Sequence, residues 1–182
     1  MSNQVAIGLP RALLYYEYGA AWEEFLRILG AVPLLSGPTT RAKIEAGLCE
    51  ALDEACLPVK VAYGHCLHLA EQVDRIFVPR VVSTEPRAYS CPKLLGLPDM
   101  IRLAVPGPVS ILSPLIDLSR GRAGSLQRAA EQVGAVTGAG RAAIGRAARA
   151  LAWGTCAENL CARARCTGRR EPETTPGGGS GG

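Results

Sequence analysis

Val5-Ala-Ile-Gly-Leu-Pro10 leads into residues 12–29, where Leu14, Ala21, Phe25, Ile28 and Leu29 recur among Glu17, Glu23, Glu24 and Arg27, and Gly30 then precedes Val32-Pro-Leu-Leu35. These thirty-one residues decide the fold. The first apolar run is short and ends in proline, as a buried strand does. The middle segment has one apolar face at helical spacing, and a glycine ends it. The second run is another strand, and Pro33 places it at a sheet edge or makes it begin late. Working outward, Thr39 or Thr40 caps a helix running to about Ala51, and a further helix starts near Pro58. Arg75-Ile-Phe-Val-Pro79 with Val81-Val82 reads as a strand, Pro98 to Leu103 as a short helix, and Val109-Ser-Ile-Leu112 as a fourth strand. Apolar strands alternating with amphipathic helices predict an α/β fold with a mostly parallel sheet flanked by helices. Ligands in such sheets sit beyond the carboxyl ends of the strands. The first such end, Gly8-Leu-Pro-Arg11, is neither a dinucleotide fingerprint nor a Walker A loop.

The chain has 182 residues, 48% hydrophobic and 20% charged, which is enough apolar material for a core and excludes wholesale disorder. Aromatic residues are 5%, too few for a stacking platform, so nucleic acid is not an expected partner. The net charge of +4 is unevenly placed. Residues 1–119 carry 10 basic and 12 acidic side chains, whereas residues 120–182 carry 10 Arg and 4 Glu. The division expected is an α/β domain over 1–118, an Arg/Ala-rich helical segment over 119–166 and a disordered Gly-rich tail over 167–182. The amino terminus shows no basic and apolar leader, and no run reaches the ~18 apolar residues of a membrane helix. The expected location is therefore cytoplasmic, where cysteines bind metal, catalyse or pack more often than they form disulfides.

Seven cysteines are present. Two lie beside prolines that favour the first helical turn: Cys56 in Asp53-Glu-Ala-Cys-Leu-Pro-Val-Lys60, and Cys91 in Cys91-Pro-Lys-Leu-Leu-Gly-Leu-Pro-Asp99. Pro92 at the first helical position makes Cys91 the N-cap, and Pro58 there puts Cys56 one residue further out. Free N–H groups and the helix dipole favour anions at such places, including a thiolate, the form that binds metal. The alternative is simple packing, since free cysteine is among the most buried residue types. Packing is the expectation for Cys49 and is favoured for Cys66, although Cys66 beside His65 and His68 also offers a ligand or a nucleophile. Cys156, Cys161 and Cys166 recur every five residues, so successive thiols on a helix point ~140° apart and share no face. His65 reads as a general acid or base, or as a hydrogen-bonded structural residue. Glu54, Lys60, Arg80 and Arg87 read as surface ion pairs or as contacts to an anionic ligand such as a CoA phosphate.

Gly8-Leu-Pro-Arg-Ala-Leu-Leu-Tyr-Tyr-Glu17, the Cys56 and Cys91 motifs, Gly64-His65 and Phe77-Val-Pro-Arg80 occur in an order that resembles the 2-hydroxyacyl-CoA dehydratase-like proteins associated with CoA-substrate-specific enzyme activases, kin of the 2-hydroxyglutaryl-CoA dehydratase D component. The resemblance covers roughly residues 5–120. It implies a Rossmann-like domain holding a cysteine-ligated iron–sulfur cluster, [4Fe–4S] or double-cubane. An ATP-dependent activase would pass that cluster a low-potential electron for dehydration of an acyl-CoA, or for reduction of a small molecule. Cys56 and Cys91 would be cluster ligands, and Cys66 is the candidate for a third. A cube takes four ligands, and the family's second α/β domain is not matched. The expectation is therefore an electron-transfer or reductase component acting as a homodimer or with a second dehydratase-like subunit. The alternative is a cluster-free binding or interaction module. A thiol hydrolase on Cys66 with His65 or His68 lacks any nucleophile-elbow motif.

Overall fold

The computed structural model describes residues 5–85, 87–119 and 121–154. Four parallel strands, β1 (Val5–Leu9), β2 (Ala31–Leu35), β3 (Arg75–Phe77) and β5 (Ser110–Leu112), form one sheet in the order β2-β1-β3-β5. β2 is an edge strand, as Pro33 predicted. The chain moves from β1 to one side and then returns to the other, so the strand order reverses between β1 and β3. A second pair, β4 (Arg80–Ser83) and β6 (Leu115–Asp117), is also parallel. Phe77 faces Leu112 and Arg80 faces Leu115, the same offset on both sides of the break. The pair thus prolongs β3 and β5 beyond Val78-Pro79 and Ser113-Pro114. Two prolines lacking N–H groups interrupt the ladder at one level, while Val78 N–H to the Leu112 carbonyl and Arg80 N–H to the Pro114 carbonyl, both 2.9 Å, bridge it.

Side-chain alternation sends neighbouring strand residues to opposite faces. Ile7, Leu9 and Phe77 join a core with α1 (Tyr15–Ile28), α5 (Arg122–Thr137) and α6 (Arg141–Gly154). Ile76, Val78 and Ile111 join a second core with α3 (Leu57–Ala70) and α4 (Pro92–Ala104). The result is a sheet between two helical layers, the fold class expected. Three elements differ from the sequence reading: the short helix expected over Pro98 to Leu103 is the later part of α4, which starts at Pro92 as the Cys91 N-cap implied; the strand expected over residues 75–82 is broken into β3 and β4; and β6 was not foreseen. No described helix is long and apolar enough to cross a membrane. Cys156, Cys161, Cys166 and the expected Gly-rich tail lie outside the described residues.

α2 (Arg41–Glu50) does not lie on the sheet; it packs antiparallel against α3. Glycine makes the contact. A Cβ on Gly47 would sit 1.9 Å from the Lys60 carbonyl oxygen, and one on Gly64 would sit 1.8 Å from that of Lys43. Only hydrogen at both positions lets the two backbones approach. Ser36 and Thr39, at the carboxyl end of β2, bond the middle of α3 at His65. The α2–α3 hairpin therefore rises past the carboxyl edge of the sheet, with its turn, residues 51–56, at the far end.

Candidate functional site

Two of the motifs, Gly8–Glu17 and Gly64-His65, meet at the carboxyl edge. The Arg11 N–H donates to Ser36 Oγ at 2.9 Å. Ser36 Oγ and His65 Nδ1 are 2.6 Å apart, and His65 Nε2 lies 2.9 Å from Thr39 Oγ1. The two ring nitrogens thus each face a hydroxyl, and in the neutral ring one donates while the other accepts. His65 has no exposed surface. Burial, followed by the Lys43 ammonium, His68 and Arg11, pushes its pKa down to about 4, so the ring is neutral at neutral pH. Lys43 crosses beneath the same turn and donates to the carbonyls of Ser36 and of Pro38, the latter at 2.8 Å. Gly64 explains this meeting, because the close approach it allows places the α2 backbone at Lys43 beside His65. The histidine is thus a buried tie between β2 and α3, without exposure to a substrate.

Arg80 joins the other two motifs. Its guanidinium donates to the Leu95 carbonyl and to Asp99 Oδ2, the latter at 2.6 Å. Asp99 also accepts from Arg102 at 2.7 Å, and the Arg80 and Arg102 hydrogen bonds hold its carboxyl below the usual range. Pro98 removes the helical N–H that would bond the Leu94 carbonyl. Arg80 docks α4 onto β4 at that weakened turn. This engagement with α4 replaces the free anion contact that the sequence also allowed.

Cys91 is the N-cap of α4 and Cys56 the N-cap of α3; both are exposed, and neither side chain makes a capping hydrogen bond. Cys56 is one residue closer to its helix than expected, because Pro58 occupies the second helical position and Leu57 the first. Lys93 Nζ lies 4.0 Å from Glu54 Oε2, so the chain just before Cys56 neighbours the first turn of α4. The surface around the hairpin turn is apolar for an exposed region: Leu52 and Leu57 are exposed there, and Tyr89 is exposed just before Cys91. Cys49, expected to pack, is exposed.

The structure does not bring Cys66 to this pair. It lies ten residues beyond Cys56 in one continuous helix, a rise of about 15 Å. It is wholly buried in the core beneath α3, and burial pushes its thiol pKa up to about 12. It also forms part of the floor of an apolar crevice where the strand order reverses. Leu13, Leu14, Phe77, Leu94 and Leu97 help to line this crevice, whose free volume is about 40 Å³, room for a water or two. Among the described residues, no group of three or more His, Cys, Asp or Glu side chains is gathered to hold a metal ion.

Sequence reasoning missed Lys43, Ser36 and Thr39 as partners of His65, and Asp99 as the partner of Arg80. The glycine pair at Gly47 and Gly64, seventeen residues apart on two helices, was the available signal for the first set.

Comparison with known proteins gives one family. The model described as the CoA enzyme activase uncharacterised domain matches residues 6–165, beyond the 5–120 covered by the motifs and across both α5 and α6. No curated protein and no solved structure matches. With the match spanning most of its length, the chain belongs to the CoA enzyme activase uncharacterised domain family.

Proposed function

We propose that this protein is an iron–sulfur-binding electron-transfer component of a CoA-enzyme system, reduced by an ATP-dependent activase, with Cys56 and Cys91 as two of the cluster ligands. The observation that carries this reading is the pair of exposed thiols at the N-caps of two neighbouring helices. Serine, threonine, aspartate or asparagine at an N-cap stabilises a helix by about 1 kcal/mol over residues that make no cap. Cysteine forgoes that bond twice here, and each thiol stands beside first-turn N–H groups that favour an anion. An anionic cluster suits such a place. Two thiols are half of what a cube takes, and their exposure leaves room for further ligands from a second copy or from a dehydratase-like subunit. Family membership supports the link to an activase and to a CoA enzyme. An acyl-CoA substrate follows from the motif resemblance.

The test is expression and purification without oxygen, with iron and acid-labile sulfide quantified, alone and with activase and dehydratase-like partners. The expected protein is brown and bleaches in air. Cys56→Ala and Cys91→Ala each lose the iron while keeping the helical circular dichroism. Retention of iron in both variants removes these residues as ligands. The second reading is a cluster-free interaction module, and it is favoured by the lack of a gathered third ligand among the described residues. Colourless protein after reconstitution with iron and sulfide, in the presence of the partners, would establish that reading instead.

A further inference from the structure

The carboxyl ends of β1 and β2 hold two cations, and among the described residues no carboxylate lies within ion-pair distance of either. Lys43 is only 8% exposed, and its ammonium is held by backbone carbonyls. Arg11, on the loop after β1, is half-buried, and its Nε–H is buried with no hydrogen-bond partner. The guanidinium lies 5.8 Å from the centroid of the Tyr15 ring. Among the described residues neither Arg11 nor Lys43 forms an ion pair, although the chain makes five elsewhere. Buried or half-buried charges are normally paired, and an orphaned donor costs about 1–3 kcal/mol. Both residues grip the same residue: Arg11 through its N–H to Ser36 Oγ, Lys43 through the Ser36 carbonyl.

We propose that Arg11, with Lys43 beneath it and Thr39 beside the turn, forms a binding site for an oxyanion of the phosphate class. The site lies outside the strand ends, where open α/β sheets take ligands. Binding turns the Nε–Nη edge of the guanidinium away from the Tyr15 ring and onto two oxygens of the anion, the bidentate geometry arginine provides. Lys43 supplies field rather than a contact, since two of its three donors are engaged. Thr39 Oγ1 lies 2.9 Å from His65 Nε2, which fixes the hydroxyl beside the turn. Gly37, in the turn at φ 68, passes over the Lys43 ammonium with no side chain to obstruct it. The site needs no iron and is independent of the cluster reading, so failure of either leaves the other standing.

The experiment is titration of the ¹⁵N-labelled, iron-free full chain with inorganic phosphate, against sodium chloride at matched ionic strength. Saturable shifts of Arg11 Nε–H and the Gly37 amide are expected. Arg11→Gln should weaken the apparent affinity about ten-fold or more, while Arg128→Gln on α5 should not. Shifts that follow the chloride control, or that persist in Arg11→Gln, overturn the proposal. Phenylglyoxal labelling of the wild-type chain gives a second readout that needs no folded variant. Phosphate should slow modification of Arg11 at least about five-fold relative to Arg128, and equal slowing of both overturns the site.

Discussion

A single buried imidazole shows how much one residue can carry here. His65 bridges Ser36 and Thr39 with one ring nitrogen donating and the other accepting, which only the neutral ring can do. Its folded pKa is about 4 against 6.5 ordinarily, so between those values the unfolded chain binds a proton that the folded chain refuses. The stability this provides is complete above pH 6.5 and is lost as pH falls toward 4. Denaturant unfolding should find the wild-type protein on the order of 2 kcal/mol less stable at about pH 4.5 than at about pH 7 from this group. His65→Gln should be weaker at neutral pH but flatter across that window; parallel pH profiles would contradict the assignment. Arg80 makes a different kind of tie. Arg80→Ala removes the donors that hold Leu95 and Asp99, and should cost about 1–3 kcal/mol. The loss should also speed amide exchange in the first turns of α4, around Cys91. Asp99→Asn should change little, because Asp99 is exposed and surface pairs contribute little.

At the scale of elements, the α2–α3 hairpin depends on two hydrogen atoms. Gly64→Ala would push a methyl group into the Lys43 carbonyl, a backbone atom that cannot rotate away. It should destabilise the protein by about 3 kcal/mol or more and disturb the His65 network with it. Gly145→Ala in α6 is the contrasting case. Its new methyl would meet only the flexible end of Arg149 at 3.8 Å, so helix propensity governs and a gain of about 0.5–1 kcal/mol is expected. Thermal melts of the two variants test both directions. The same contrast explains what the sequence made legible. β1, α1 and β2 were readable because apolar spacing and Gly30 punctuate them locally. The start of α4 was legible from Cys91-Pro92, but its continuation through Pro98 was not, and Arg80, eighteen positions away, docks that turn through the Leu95 carbonyl. β6 is three residues long and exists by pairing with β4. The hairpin geometry lay in Gly47 and Gly64, whose meaning depends on each other and not on any local pattern. Cys56 and Cys91 were legible as N-terminal residues because proline marks helix starts, whereas the Lys43–His65 meeting required the tertiary fold.

For the whole molecule, the question is whether residues beyond 118 are an appendage or part of the fold. Leu126, Ala129, Ala130, Val133, Ala147 and Leu151 are buried in the same cluster as Ile7, Leu9, Trp22, Phe25 and Phe77. α6 packs on α1 as well as on α5, and Ser125 receives the Asp117 N–H at 2.8 Å, joining α5 to β6. Removing the two helices would expose the part of this sheet face that α5 covers near β6, together with the side of α1 that packs on α6. Among the described residues of α5 and α6, Arg128, Arg141, Arg146 and Arg149 are exposed, so these charges lie on the solvent face of helices whose alanines build the core. That division explains how a segment so rich in Arg and Ala can be structural, and it agrees with a family match that continues to residue 165. A chain cut after Leu118 should therefore lose cooperative unfolding, near-ultraviolet circular dichroism and amide dispersion. A cooperative, well-dispersed 1–118 fragment would show that the first core closes without α5 and α6. Leu151→Ala provides the graded version: truncation of a side chain that is 1% exposed should cost about 2–5 kcal/mol. Because Leu151 lies on the face opposite α3 and α4, the loss should appear in global stability while leaving the local environment of Cys56 and Cys91 unchanged in the folded state.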